Sequence, residues 1–191
     1  MLLLRCTVIF LLVILFGKIF LDKTGVFNRP FGGKAIFYHL VLDDSPSMNF
    51  IEKDSTPFKK SIQSIKSLAK RLSEKNEEAF FSLYVTSNLK KPIFNKILLN
   101  QDAFLKLETY LNSVSTFDIP LSPEICLSEI QKIINPKIEP YHHMLRFYSD
   151  YRDSDWSVLN LEQLKSKLES SLGVFESVSF VDSSLGQNNN L

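Results

Sequence analysis

The sequence predicts an α/β fold: a doubly wound, mostly parallel sheet with one antiparallel edge strand, preceded by one N-terminal transmembrane helix. Three observations carry this reading. Apolar runs of strand length alternate with stripes of helical spacing, the order that builds a parallel sheet covered by helices. Two of those runs, Ala35 to Leu42 and Met144 to Tyr148, lead into acidic loops. The first 21 residues carry only Arg5 and Lys18 as charges, and about 20 residues at 1.5 Å each cross a hydrocarbon core of roughly 30 Å.

Arg5 and Lys18 lie near the ends of that leading segment, where long side chains can snorkel to the interface. A cleaved signal peptide is the rival reading, with Cys6 to Gly17 as its apolar core. The stretch Ile19-Phe20-Leu21-Asp22 lacks a small-x-small cleavage pattern, so residues 1–21 are expected to stay in the lipid bilayer as a single-pass anchor. Arg5 before the span, and Lys18, Lys23 and Arg29 at its end and beyond, leave the side of the membrane open. Residues 22–34, with Gly25, Pro30, Gly32 and Gly33, read as a linker. A folded domain is expected over 35–183. Residues 184–191 read as a disordered tail rich in Asn.

Within the domain, Ala35 to Leu42 is an apolar run suited to a strand buried on both faces. Ser55 or Thr56 can cap a helix with Pro57 in its first turn, and Phe58, Ile62, Ile65, Ala69 and Leu72 form its apolar stripe. Ala79 to Val85 is a second buried strand. Ile93 to Leu99 follows too soon for a crossover helix and is expected to pair antiparallel, with Pro92 suiting an edge. Phe104, Leu107, Leu111 and Val114 mark a second helix. Ser122-Pro123-Glu124 opens a third, with Ile125, Ile130, Ile133 and Ile134 as its apolar side. Met144 to Tyr148 is the next strand, Leu161 to Leu172 a helix at four-residue spacing, and Val174 to Val181 the last strand. Ligands of such sheets bind beyond the carboxyl ends of the strands. Acidic residues more than a hundred positions apart can therefore meet there.

Composition narrows the function. The chain has 191 residues, with 22 Lys and Arg against 21 Asp and Glu. Without Arg5 and Lys18 the remainder has 20 basic residues against 21 acidic, which gives no electrostatic reason to expect nucleic acid. About 165 residues can bury roughly 70% of the unfolded surface, enough for one core. Cys6 in the leading segment and Cys126 in a helix are not placed to form a bridge. No Gly-rich phosphate loop, G-x-S-x-G elbow or H-E-x-x-H occurs, and no enzymatic activity is expected. The adjacent His142 and His143 point to opposite faces of a strand and read as a strand entry, not as ligands.

The loop after the first strand reads Val41-Leu42-Asp43-Asp44-Ser45-Pro46-Ser47-Met48. Asp43, Ser45 and Ser47 form a D-x-S-x-S spacing. One carboxylate and two hydroxyls on a tight turn can face a small hard cation such as Mg²⁺, which takes oxygen ligands at roughly 2.0–2.1 Å. This loop resembles the metal-ion-dependent adhesion site of von Willebrand factor type A domains. Leu145 to Asp153 is similar to the strand of that family that ends in Thr-Asp-Gly-x-x-Asp, and Phe81 to Thr86 with the following strand is similar to its central hairpin.

The resemblance covers about residues 35 to 183 and implies a Mg²⁺ (or Mn²⁺) site built from Asp43, Ser45, Ser47 and Asp150. Either Ser122 or Thr116 would take the place of the family's ligand Thr. It further implies a membrane-anchored protein-binding module whose metal receives an Asp or Glu of a partner protein, with Asp44, Tyr151 and Trp156 as partner-facing candidates. Tyr151 departs from the pattern, standing where the family has Gly, and the family's last strand and helix do not follow Val181.

Plainer readings compete. Asp43 and Asp44 can cap a turn, Ser45, Pro46 and Ser47 are ordinary turn residues, Asp150 and Asp153 can be solvated, and Trp156 can pack in the core. The Asp43-Asp44 pair also resembles a receiver-like signalling domain, but Thr86-Ser87 stand where its phosphoacceptor Asp is sought. A degenerate type A scaffold without metal is the other alternative. A haloacid-dehalogenase-like phosphatase needs an Asp where Ser45 stands.

Overall fold

The computed structural model describes residues 35–51, 54–74, 78–120, 122–133, 141–152 and 175–184. The expected anchor at 1–21, the linker at 22–34, Asp153, Trp156, the helix expected over Leu161 to Leu172 and tail residues 185–191 lie outside them. Among the described residues no helix is long and apolar enough to cross a membrane.

Five strands form one sheet in the order β3-β2-β1-β4-β5. They are β1 (Ile36–Leu42), β2 (Ala79–Val85), β3 (Phe94–Leu98), β4 (His142–Ser149) and β5 (Ser177–Asp182). β1 pairs parallel with β2 and β4, β4 pairs parallel with β5, and β3 alone runs antiparallel, against β2. The predicted sheet, mostly parallel with one antiparallel edge, is the observed one.

β1 holds the centre because both its faces are apolar. Tyr38, Leu40 and Leu42 join a core shared with α1 (Pro57–Glu74) and α2 (Gln101–Ser113), where Ile65, Leu68, Leu107 and Leu111 pack. Val41 joins a second core with Cys126 and Ile130 of α3 (Pro123–Ile133) and with Leu145, Phe147 and Phe175. Ile125, expected on the apolar side of α3, is exposed, and its neighbour Cys126 is buried instead. Thr56 is the residue that caps α1, its Oγ1 accepting the Lys59 N–H at 3.2 Å. Asn100 caps α2 through the Ala103 N–H at 2.9 Å.

Two strand starts differ from expectation by more than one residue. β4 starts at His142, two residues before Met144, because the parallel register sets His142 opposite Ile36 and His143 opposite Phe37. β5 starts at Ser177, where pairing with Met144 begins, and not at Val174.

Candidate functional site

β1 hands its direction to the site. The Asp43 N–H donates to the Tyr148 carbonyl at 2.9 Å, which prolongs the β1–β4 ladder one residue beyond the strand and leaves Asp43 fully buried at its end. Asp43 Oδ1 accepts the Ser45 N–H at 2.9 Å and the Thr86 hydroxyl at 3.3 Å, and Oδ2 accepts the Ser149 hydroxyl at 2.6 Å. Burial raises the pKa of this carboxyl, and the hydrogen bonds from Ser149, Ser45 and Thr86 pull the other way without offsetting it. An incompletely compensated buried carboxylate is a place where a cation gains energy.

The next turn is a short 3₁₀ segment, Pro46–Asn49, pinned by the fully buried Met48. It sets Ser45 Oγ and Ser47 Oγ 3.0 Å apart, hydrogen-bonded to each other. Two oxygens bound at right angles to Mg²⁺ lie about 2.9 Å from each other, given metal–oxygen distances of roughly 2.0–2.1 Å. The hydroxyl pair thus already stands at the spacing that adjacent octahedral ligands take. The residues fit a hard divalent cation in donor type. Among the described residues no three His, Cys, Asp or Glu cluster as a metal site, so any metal here would rest on mixed carboxylate and hydroxyl donors.

Asp44, expected to face a partner, is buried and turned the other way. Its Oδ1 accepts the Thr86 hydroxyl and the Ser87 N–H, both at 2.8 Å, its Oδ2 accepts the Ser87 hydroxyl at 2.5 Å, and its carbonyl accepts the Phe117 N–H at 2.6 Å. It binds the ends of β1 and β2 to the loop that follows α2. Thr86 and Ser87 hold the acidic loop in place, a part that sequence reasoning missed; two hydroxyls ending a buried strand were the available signal.

β4 delivers the second carboxylate. Asp150 follows Ser149, is 6% exposed, and its Oδ2 pairs with Arg152 Nε at 3.0 Å. Arg152 also reaches the D-x-S-x-S turn, with Nη2 3.4 Å from the Ser47 carbonyl and its guanidinium carbon 4.2 Å from the centre of the Phe50 ring.

No protein-family model and no curated protein matches the chain by sequence. Solved structures do. A von Willebrand factor type A protein from Catenulispora acidiphila superposes with a TM-score of 0.58 at 12% identity, over 78% of this chain and 33% of its own. An aerotolerance-related membrane protein from Bacteroides fragilis superposes with a TM-score of 0.51 at 12% identity, over 77% of this chain and 67% of its own. The fold is that of a von Willebrand factor type A domain. The chain spans only a third of the Catenulispora protein.

In this type A-like domain Tyr151 adopts a left-handed backbone, φ 44°, at the position where the resembled motif has Gly. That conformation costs a bulky residue energy. Tyr151 is held in it by its hydroxyl donating to the Phe147 carbonyl at 2.8 Å and by its ring packing against Phe147 and Phe180. Its ring thus packs against the second core. Thr116 is tied to the D-x-S-x-S turn, its hydroxyl accepting from the Asn49 side-chain amide. Ser122 instead opens α3, its carbonyl accepting the Cys126 N–H at 2.9 Å.

The two histidines expected at the strand entry do lie on β4, and the buried His143 meets His39 of β1, Nδ1 to Nε2 at 3.0 Å. That pairing joins residues 104 positions apart, a relation that only strand adjacency creates.

Proposed function

We propose that this chain is a membrane-anchored, type A-like protein-binding module that uses a Mg²⁺ (or Mn²⁺) site to engage an Asp or Glu of a partner protein. The observation that carries the reading is the buried, undercompensated Asp43 beside two hydroxyls at octahedral ligand spacing. Asp43, Ser45, Ser47 and Asp150 would hold the ion directly or through water, with Thr116 or Ser122 completing the shell. The bound cation supplies an open coordination position for a carboxylate, which gives a short, charge-assisted contact.

The chain's own residues supply the rest. Thr86 and Ser87 hold Asp44 in place, Ser149 orients Asp43, and the Asn49–Thr116 hydrogen bond joins the two loops beside the site. Those loops carry Phe50, Ile51, Phe117 and Ile119, each about half exposed or more. Apolar side chains collected beside a polar site suit a protein partner. Residues 1–21 would hold the domain, residues 35–183, at the bilayer as a single-pass anchor. The role is capture of a ligand, without turnover.

The test is capture of a partner by the immobilised full chain in detergent. With Mg²⁺ a specific protein is retained, chelator releases it, and Asp43→Ala retains none. Capture that survives both chelator and Asp43→Ala would point to the degenerate scaffold without metal.

A further inference from the structure

We propose that Arg152 is a tethered cation that competes with a divalent ion for Asp150, and so sets how tightly the site takes metal. This rests on the metal-site reading above and adds a residue to it.

Three buried carboxylates follow the strand ends, Asp43 and Asp44 after β1 and Asp150 after β4. Asp43 and Asp44 are served by hydroxyls and amide N–H groups. Asp150 is paired with a full positive charge, Arg152 Nε lying 3.0 Å from Oδ2, with the carboxylate side chain 3% exposed and the arginine side chain 35%. The guanidinium is restrained from two further directions. Nη2 leans on the Ser47 carbonyl at 3.4 Å, and the Phe50 ring lies under it at 4.2 Å. Ser47 and Phe50 belong to the very turn that presents the ligand hydroxyls. The left-handed turn at Tyr151 separates Asp150 from Arg152 and lets the two side chains meet.

A metal ion and a guanidinium on the same carboxylate repel each other. If Asp150 enters a metal shell, the ion would meet the like charge of Arg152 at short range, so either the ion pair loosens or the metal binds less tightly. The arginine therefore lowers the apparent affinity for metal while keeping Asp150 neutralised in the metal-free protein. A lysine keeps the charge but loses the planar fork.

The test is Mn²⁺ binding to the full chain in detergent, read by electron paramagnetic resonance and by calorimetry, for wild type, Arg152→Gln, Arg152→Met and Arg152→Lys. Arg152→Met retains an unbranched stem over Phe50 and guards against misfolding of the Gln variant. Arg152→Gln and Arg152→Met should bind Mn²⁺ at least tenfold more tightly than wild type, with Arg152→Lys close to wild type. Folded Gln and Met variants that bind no more tightly than wild type overturn this inference and leave the metal site standing. Absence of Mn²⁺ binding in every form overturns the metal site and the inference with it.

Discussion

His39 and Asp43 lie four residues apart, one within β1 and one just past its end, and burial acts on both in the same sense: each is driven toward its neutral form. His39 is pushed down from 6.5 to about 3, by burial first and by the neighbouring His143 second. Its folded-state pKa lies below that of the unfolded chain, so the unfolded state takes up the proton first as pH falls. The contribution is fully present above pH 6.5 and is lost between 6.5 and about 3, with about 2 kcal/mol lost by pH 5. The melting temperature should fall between pH 7 and pH 5, and His39→Gln should show a shallower fall. A slope unchanged by that substitution would assign the acid sensitivity elsewhere.

Asp43 has its pKa raised, so the folded state holds its proton more tightly than the unfolded one and the ionised form weighs against folding at neutral pH. A bound cation reverses that. Saturating Mg²⁺ or Mn²⁺ should stabilise the protein by about 2.7 kcal/mol at one hundred times the dissociation constant, and Asp43→Ala should abolish the gain. Equal melting temperatures with and without metal would count against the site.

At the scale of elements, the ends of β1, β2 and β4 are joined by side chains as well as by the ladder bond from the Asp43 N–H to Tyr148. Thr86 after β2 donates to Asp44 Oδ1 at 2.8 Å and accepts the Asp44 N–H at 3.1 Å. Thr86→Val keeps the shape and strips both bonds along with the longer one to Asp43 Oδ1, leaving buried polar groups of Asp44 short of partners. Chemical denaturation should show a loss of about 1–3 kcal/mol, and the loop carrying Phe117 should exchange its amide hydrogens faster, since the Asp44 carbonyl holds its N–H. A loss below a few tenths of a kcal/mol would mean that the Asp44 tie is not needed to hold these strand ends. Much at this scale was legible beforehand. Pro92 and the short spacing marked the antiparallel edge, and Thr56 was among the two proposed caps for α1. The early start of β4 was legible in part: His142 and His143 read as a strand entry, and the register sets them inside the ladder, opposite Ile36 and Phe37.

For the whole molecule, the anchor reading makes its own prediction. If residues 1–21 span a bilayer uncleaved, the mature protein keeps its amino terminus and alkaline carbonate leaves it in the membrane fraction. Replacing Leu12 and Val13 with Arg should release or mislocalise it, since each central Arg costs about 2.5–3.5 kcal/mol on insertion scales. A soluble mature form starting between Ile19 and Gly25 would instead show a cleaved signal peptide.

The alternation of apolar runs and helical stripes determined, by itself, the sheet, its antiparallel edge and the two acidic strand ends, because burial on both faces writes a continuous apolar run into the sequence. The D-x-S-x-S spacing located the hydroxyl pair for a similar reason: its geometry is local to one turn. The partners of those residues were decided only by the tertiary structure. Asp44 turns inward because β2 ends beside it with Thr86 and Ser87, Tyr151 turns inward because Phe147 and Phe180 receive its ring, and Ser149 reaches Asp43 only once β4 lies against β1. Arg152 meets Asp150 through a left-handed turn that a tyrosine does not advertise. Hydrogen bonds between strand ends depend on which strands are neighbours, and neighbourhood in a sheet is a property of the packed chain and not of any stretch of it.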